Sequence, residues 1–203
     1  SFTDENINFS SFLEKNRFWK NFIDSINSKN FVNDLIKFFN LKNIYFSDQD
    51  WKKYIPTYKK VKLNFCFNIS EEGGFSLPHT DSSRKLMSMV YFFVDNSWSE
   101  KNGGEVKLYK PKNFIHENNW RNERIDKENL DVIKTIIPSP NKMYGFKKTK
   151  NSYHSVERIR AINSLSRKVL MINLIYEKKS DSPYQKISFL DKIKNIITSL
   201  GKK

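Results

Sequence analysis

The sequence predicts a mainly β fold with flanking helices, an α+β chain whose strands form a sandwich or barrel. Two observations carry this. From about residue 60, bulky apolar residues recur in short runs with turn residues between them, the pattern of many short strands. Before that, residues 10–46 place their apolar residues at helical spacing.

The helical part comes first. Phe18, Phe22 and Ile26 fall on one helix face, and so do Phe31, Leu35 and Phe38. Asn and Ser at 27–30 predict a break between two helices. An aromatic stripe of this kind reads as core. The strands follow. Residues 61–69 alternate around Leu63, Phe65 and Phe67, while 86–94 are almost continuously apolar, as in a strand buried on both faces. Residues 106–109 form a short strand after Gly103-Gly104, and 142–146 another. Residues 154–159 and 167–176 read as two strands joined by a turn near 162–165, a hairpin returning the chain toward His154. The polar stretch 111–131, with Trp120, Arg121 and Arg124, reads as a long loop of the kind that often serves as a lid. Phe189, Ile193 and Ile197 predict a C-terminal helix over 186–203. A single domain is expected over 1–203, with a helical part at 1–50 and a β core at 60–177.

Composition narrows the class. With 17 Phe and 9 Tyr in 203 residues, the chain can build a core, which argues against global disorder. It shows no signal-like segment and no run of about 18 apolar residues. A soluble protein that does not span a membrane is therefore expected. Cys66 is the only cysteine, so neither an internal disulfide nor a cysteine-rich zinc site is available. It reads as a small buried hydrophobe, and a reducing, cytoplasmic setting fits it. The net charge of +14 and pI near 9.7 allow nucleic acid, an anionic surface or an acidic substrate as partner. Yet the lysine pairs, such as Lys52-Lys53, Lys147-Lys148 and Lys202-Lys203, are scattered along the chain. Lys, Asn and Ile are abundant together, as AT-rich coding sequence produces. The charge reads mainly as a solvated surface.

Three histidines are present: His79, His116 and His154. His116 sits in the polar loop with no motif around it and reads as an ordinary loop histidine. His79 and Asp81 lie two residues apart in Gly73-Gly-Phe-Ser-Leu-Pro-His-Thr-Asp. On an extended segment they face the same side, so an imidazole and a carboxylate can meet one ion. A second imidazole completes the two-histidine, one-carboxylate face of non-haem iron oxygenases. His154, in Ser152-Tyr-His-Ser-Val, is the natural third ligand.

These segments, in order with Tyr91-Phe-Phe-Val-Asp, Gly103-Gly-Glu-Val and Ser166-Arg-Lys-Val-Leu-Met-Ile, resemble the 2-oxoglutarate/Fe(II) dioxygenase superfamily over residues 60–177. The resemblance is greatest to its prolyl-4-hydroxylase-like branch. It implies a double-stranded β-helix (jelly-roll) core with the N-terminal helices packed on one side. It implies Fe(II) held by His79, Asp81 and His154, with 2-oxoglutarate and O2 as cosubstrates and ascorbate as an optional reductant. It places Arg167, 13 residues after His154, on the far carboxylate of 2-oxoglutarate. A guanidinium suits that task because its planar fork grips a carboxylate at two points. Arg158 and Arg160 compete for the role but precede the turn. Alternation puts Arg167, Val169 and Met171 on one face, the expected barrel interior. Two departures stand out. Val169 occupies the place where many relatives put a Ser. The Tyr that prolyl-hydroxylase relatives carry after His-x-Asp aligns with Phe93. Tyr91 is then the candidate second contact to the cosubstrate, with a plain core aromatic as the other reading.

The resemblance implies hydroxylation of a substrate C–H bond coupled to decarboxylation of 2-oxoglutarate to succinate. Asp81 keeps the carboxylate that related halogenases lose. The substrate is left open between a prolyl or peptidyl group and a small polar metabolite, with some preference for an anionic or polypeptide partner. One alternative is a nucleic-acid demethylase of the same superfamily. Its two arginines six residues apart would have to be Arg160 and Arg167, which are seven apart. The other is a cupin-like metal-binding protein, whose usual His-x-His pair is missing here.

Overall fold

A computed structural model of the chain describes residues 2–3, 8–41, 58–113, 124–160 and 165–178. Three helices lie between the short first strand and the rest of the sheets: α1 (Phe9–Lys15), α2 (Arg17–Ile26) and α3 (Lys29–Phe38). The predicted break at 27–30 falls between α2 and α3, where the Ser28 hydroxyl caps α3 by accepting the Phe31 N–H. A further break occurs at Asn16, which leaves helical geometry and turns its amide back to donate to the Phe12 carbonyl at 2.7 Å. The rest of the predicted helical stretch (42–46), the C-terminal helix and His116 lie outside the described residues.

The described residues form nine strands in the order β1 (Phe2–Thr3), β2 (Tyr58–Ser70), β3 (Ser76–His79), β4 (Lys85–Phe92), β5 (Val106–Pro111), β6 (Leu130–Ile136), β7 (Met143–Lys147), β8 (Tyr153–Val156) and β9 (Arg167–Lys178). They form two antiparallel sheets, ordered β1-β2-β9-β4-β7 and β3-β8-β5-β6. From β2 onward the chain changes sheet at every step except between β5 and β6, the winding of a jelly roll. The protein is thus mainly β with flanking helices, as its pattern predicts. Three strands escape that pattern: β1, β3 and β6. β3 is only four residues long, and β6 exposes five of its seven residues at the edge of its sheet.

Period two decides what each face of the larger sheet meets. Leu63, Phe65, Met87, Met89, Leu170, Ile172 and Leu174 point outward and are buried by Phe9, Ile23 and Leu35 of the helices. Trp19 closes this layer, with its ring 5.0 Å from Phe67 and 6.0 Å from Phe93. Burying one such Phe or Leu contributes roughly 1.5–3 kcal/mol, so this layer pins the helices to one side. The other face, with Val90, Phe92 and Val169, looks between the sheets toward Val106 and Ile159.

The expected hairpin is corrected by the pairing. β8 pairs with β3 and β5, whereas β9 pairs with β2 and β4. The chain therefore crosses from one sheet to the other between His154 and Arg167. The two residues face each other across the interior instead of along one ladder.

Candidate metal and cosubstrate site

β3 ends on His79, which lies directly opposite His154 of β8 in the strand register. Opposed residues of an antiparallel pair point the same way, and the two rings stand 4.4 Å apart. Asp81, two residues beyond His79, joins them. Ligand atoms of all three lie within 4.8 Å of one another. Each imidazole is aimed by a backbone carbonyl. His79 Nδ1 lies 2.8 Å from the Leu77 oxygen, and His154 Nδ1 lies 3.1 Å from the Ser152 oxygen. A carbonyl only accepts, so both Nδ1 atoms carry the proton and both Nε2 lone pairs remain for a metal. Asp81 is held by the Ser88 hydroxyl at 2.9 Å on one oxygen and by the Lys85 ammonium at 2.8 Å on the other.

The electrostatics suit a divalent cation. Burial by itself would raise the Asp81 pKa, but Lys85, His154 and the hydrogen bonds outweigh it and hold the carboxyl below its ordinary value. Burial pushes His154 down to about 4, against the pull of Asp81. At neutral pH His154 is therefore neutral and Asp81 ionised, the forms in which these groups ligate metal.

Arg167 opens β9 and is buried. Its Nε donates to the Gly104 carbonyl at 3.1 Å, and its guanidinium sits 5.2 Å from the centre of the Phe92 ring. The Gly103-Gly104 pair makes this possible. Gly103 has φ +70° and ψ −151°, a region essentially restricted to glycine, and an added Cβ would stand 2.2 Å from the Arg158 carbonyl oxygen. Gly104 has φ +71°, and its Cβ would meet Arg167 Cδ at 2.9 Å. The motif before β5 is thus the seat of the arginine.

A cavity of about 350 Å³ runs between the sheets and is lined by His79, Asp81 and His154 together with Arg167, Val169 and Tyr144. Tyr144 escapes the sequence reading. It pairs with Val90 from β7, its ring centre is 5.6 Å from that of Phe92, and burial pushes its hydroxyl up to about 12. It keeps its proton and can donate toward an anion beside Arg167. Strand parity within 142–146 could have flagged it.

Tyr91 is placed elsewhere. The two-residue period of β4 sends Ser88, Val90 and Phe92 inward and Met89 and Tyr91 toward the helices. The Tyr91 hydroxyl donates to Asn141 Oδ1 at 2.9 Å and its ring lies 4.7 Å from Phe93. It does not line the cavity, so it cannot be a contact to a cosubstrate there. Arg160 donates to the Glu100 and Lys101 carbonyls, and Arg158 to that of Gly73. Neither lines the cavity.

Residues 64–175 match the 2OG-Fe(II) oxygenase superfamily, and the chain belongs to it. That family implies Fe(II), 2-oxoglutarate and O2, and the donor set described above fits such a metal. Among solved structures the chain is similar to a Pseudomonas putida prolyl-4-hydroxylase, at 14% identity, 63% coverage of this chain, 57% of that one and a TM-score of 0.38. It is also similar to a Trichoplax adhaerens prolyl hydroxylase solved with a hypoxia inducible factor peptide fragment, at 14% identity, 63% and 50% coverage and a TM-score of 0.40. A third is EvdO2 from Micromonospora carbonacea, at 10% identity, 60% and 54% coverage and a TM-score of 0.33. The chain spans 50% to 57% of the length of these three proteins. No curated protein matches it.

Proposed function

We propose that this protein is a hydroxylase that oxidises a C–H bond of a prolyl or small polar substrate while converting 2-oxoglutarate to succinate. The observation that carries this reading is one cavity with a three-donor metal cluster and, across it, the buried guanidinium of Arg167. His79, Asp81 and His154 would hold Fe(II), leaving its remaining positions to face the cavity. When bound, the iron supplies the oxidising chemistry by activating O2 as 2-oxoglutarate is decarboxylated. The chain's own residues orient and shield. Arg167 and the Tyr144 hydroxyl would grip the far carboxylate, a pair that makes up for the apolar Val169 beside the arginine. Phe92, Val90 and Ile159 keep that end dry, which strengthens the ion pair. Lys85 and Ser88 hold the orientation of Asp81. Arg158 and Arg160 being tied to backbone carbonyls outside the cavity speaks against a demethylase arginine pair there.

Protein loaded anaerobically with Fe(II), then given 2-oxoglutarate, air and ascorbate, should form succinate, faster with the right substrate. His79→Ala, Asp81→Ala and His154→Ala should each abolish iron-dependent turnover. Full activity in His154→Ala would remove the reading.

A further inference from the structure

The inward face of β9 carries one more polar residue that the iron and the cosubstrate leave unused. Asn173 is 3% exposed, lines the cavity, and its Oδ1 accepts no hydrogen bond. A buried, unsatisfied amide oxygen costs about 1–3 kcal/mol, so its retention calls for a partner that arrives from the cavity. Its place is informative. Asn173 pairs with Ser88 of β4, the residue whose hydroxyl holds Asp81. Neighbouring strands are about 4.8 Å apart, which puts Asn173 at the level of the metal cluster. Arg167 stands six residues away along β9, or about 20 Å of extended strand, at the other end. The amide thus belongs to the end of the cavity away from the Arg167 grip.

Lys85 lines the same end. Its ammonium has three N–H donors and gives one to Asp81, so it can hold a second anion. Space is tight as well. A cavity of about 350 Å³ lies at the small end of ligand sites and must also admit 2-oxoglutarate.

We infer that this end of the cavity takes a small free amino acid, whose ammonium N–H donates to Asn173 Oδ1 and whose carboxylate meets Lys85. The inference rests on the oxygenase reading and names its substrate class. A proline ring inside a peptide has no N–H to offer, so Asn173 favours a free acid over a peptidyl proline.

The test uses the full chain loaded with Mn(II) and 2-oxoglutarate without O2. The paramagnetic ion relaxes the protons of any molecule bound beside it, which reports binding independently of turnover. The probes are the twenty common L-amino acids, each paired with its deaminated acid. Asn173→Val and Asn173→Thr are isosteric with each other and suit a strand, and only Thr keeps an oxygen. At least one amino acid should be relaxed at about tenfold lower concentration than its deaminated partner, the worth of one buried hydrogen bond. Asn173→Val should erase that preference and Asn173→Thr should keep part of it. The proposal is overturned if Asn173→Val discriminates like the parent protein, if its loss falls on Mn(II) or 2-oxoglutarate affinity, or if no amino acid is relaxed. Calorimetry of 2-oxoglutarate on the Mn(II)-loaded parent separates the two failures. No cosubstrate binding defeats the oxygenase reading, and cosubstrate binding without amino-acid binding defeats only this one.

Discussion

At the scale of single residues, the carboxylate end of the cavity is the most exposed to test. Arg167 is a charge-assisted donor in a buried setting, and Tyr144 is a neutral hydroxyl kept protonated by its burial. Hydrogen bonds to charged groups contribute about 1.5–3 kcal/mol and neutral ones about 0.5–1.5 kcal/mol. Arg167→Ala should therefore raise the KM for 2-oxoglutarate roughly 10- to 100-fold, and Tyr144→Phe roughly 3- to 10-fold. Tyr91→Phe should leave that KM unchanged, because its hydroxyl reaches Asn141 on the far side of the sheet. Steady-state kinetics in 2-oxoglutarate reads all three. A larger effect at Tyr91 than at Tyr144 would reverse the assignment.

At the scale of elements, two junctions hold the site. The Gly103-Gly104 turn before β5 is one. Gly104→Ala pushes a Cβ against the arginine side chain, which can yield, so its effect should appear in the KM for 2-oxoglutarate. Gly103→Ala meets a backbone oxygen in a glycine-only conformation and should cost about 1–3 kcal/mol or more, read as a fall in Tm. The other junction is Glu157, just past β8. Its carboxylate accepts from Lys127 at 2.9 Å and lies 3.7 Å from Lys107 of β5. Burial would raise its pKa, but these lysines and Ser155 hold it below the ordinary value. A lowered carboxylate contributes stability above its unfolded pKa of about 4.3 and loses it as pH falls through the folded value. Glu157→Gln should therefore lower Tm slightly at neutral pH and not in strong acid, which a Tm series against pH would show.

At the scale of the whole molecule, metal and cosubstrate should behave as part of the fold, since the residues proposed to hold them lie on both sheets. A ligand at a hundred times its Kd stabilises by about 2.7 kcal/mol. For a chain of this size each kcal/mol moves Tm by about 2–4 °C. Mn(II) with saturating 2-oxoglutarate should thus raise Tm by about 5–10 °C, as scanning calorimetry measures, and Asp81→Ala should abolish most of the rise.

What could be read from the residues alone was whatever is local. Helical spacing at Phe18, Phe22 and Ile26 marks a helix, though Asn16 breaks the stretch earlier through a side-chain bond that spacing cannot show. Period two around Phe65 marks β2, and His79-x-Asp81 marks two candidate donors on one side, because neighbours two apart on an extended chain face the same way. What required the folded chain is whatever depends on which strand lies beside which. The register of β3 on β8 brings His154 to His79, and the crossing between sheets makes Arg167 face them instead of following His154 in a hairpin. The inward parity of β4 and β7 takes Tyr91 out of the cavity and puts Tyr144 in. A shift of one residue reverses a strand's faces, so these choices belong to the pairing of distant segments. Local spacing names the donors, and the pairing of the two sheets sets which of them share a cavity.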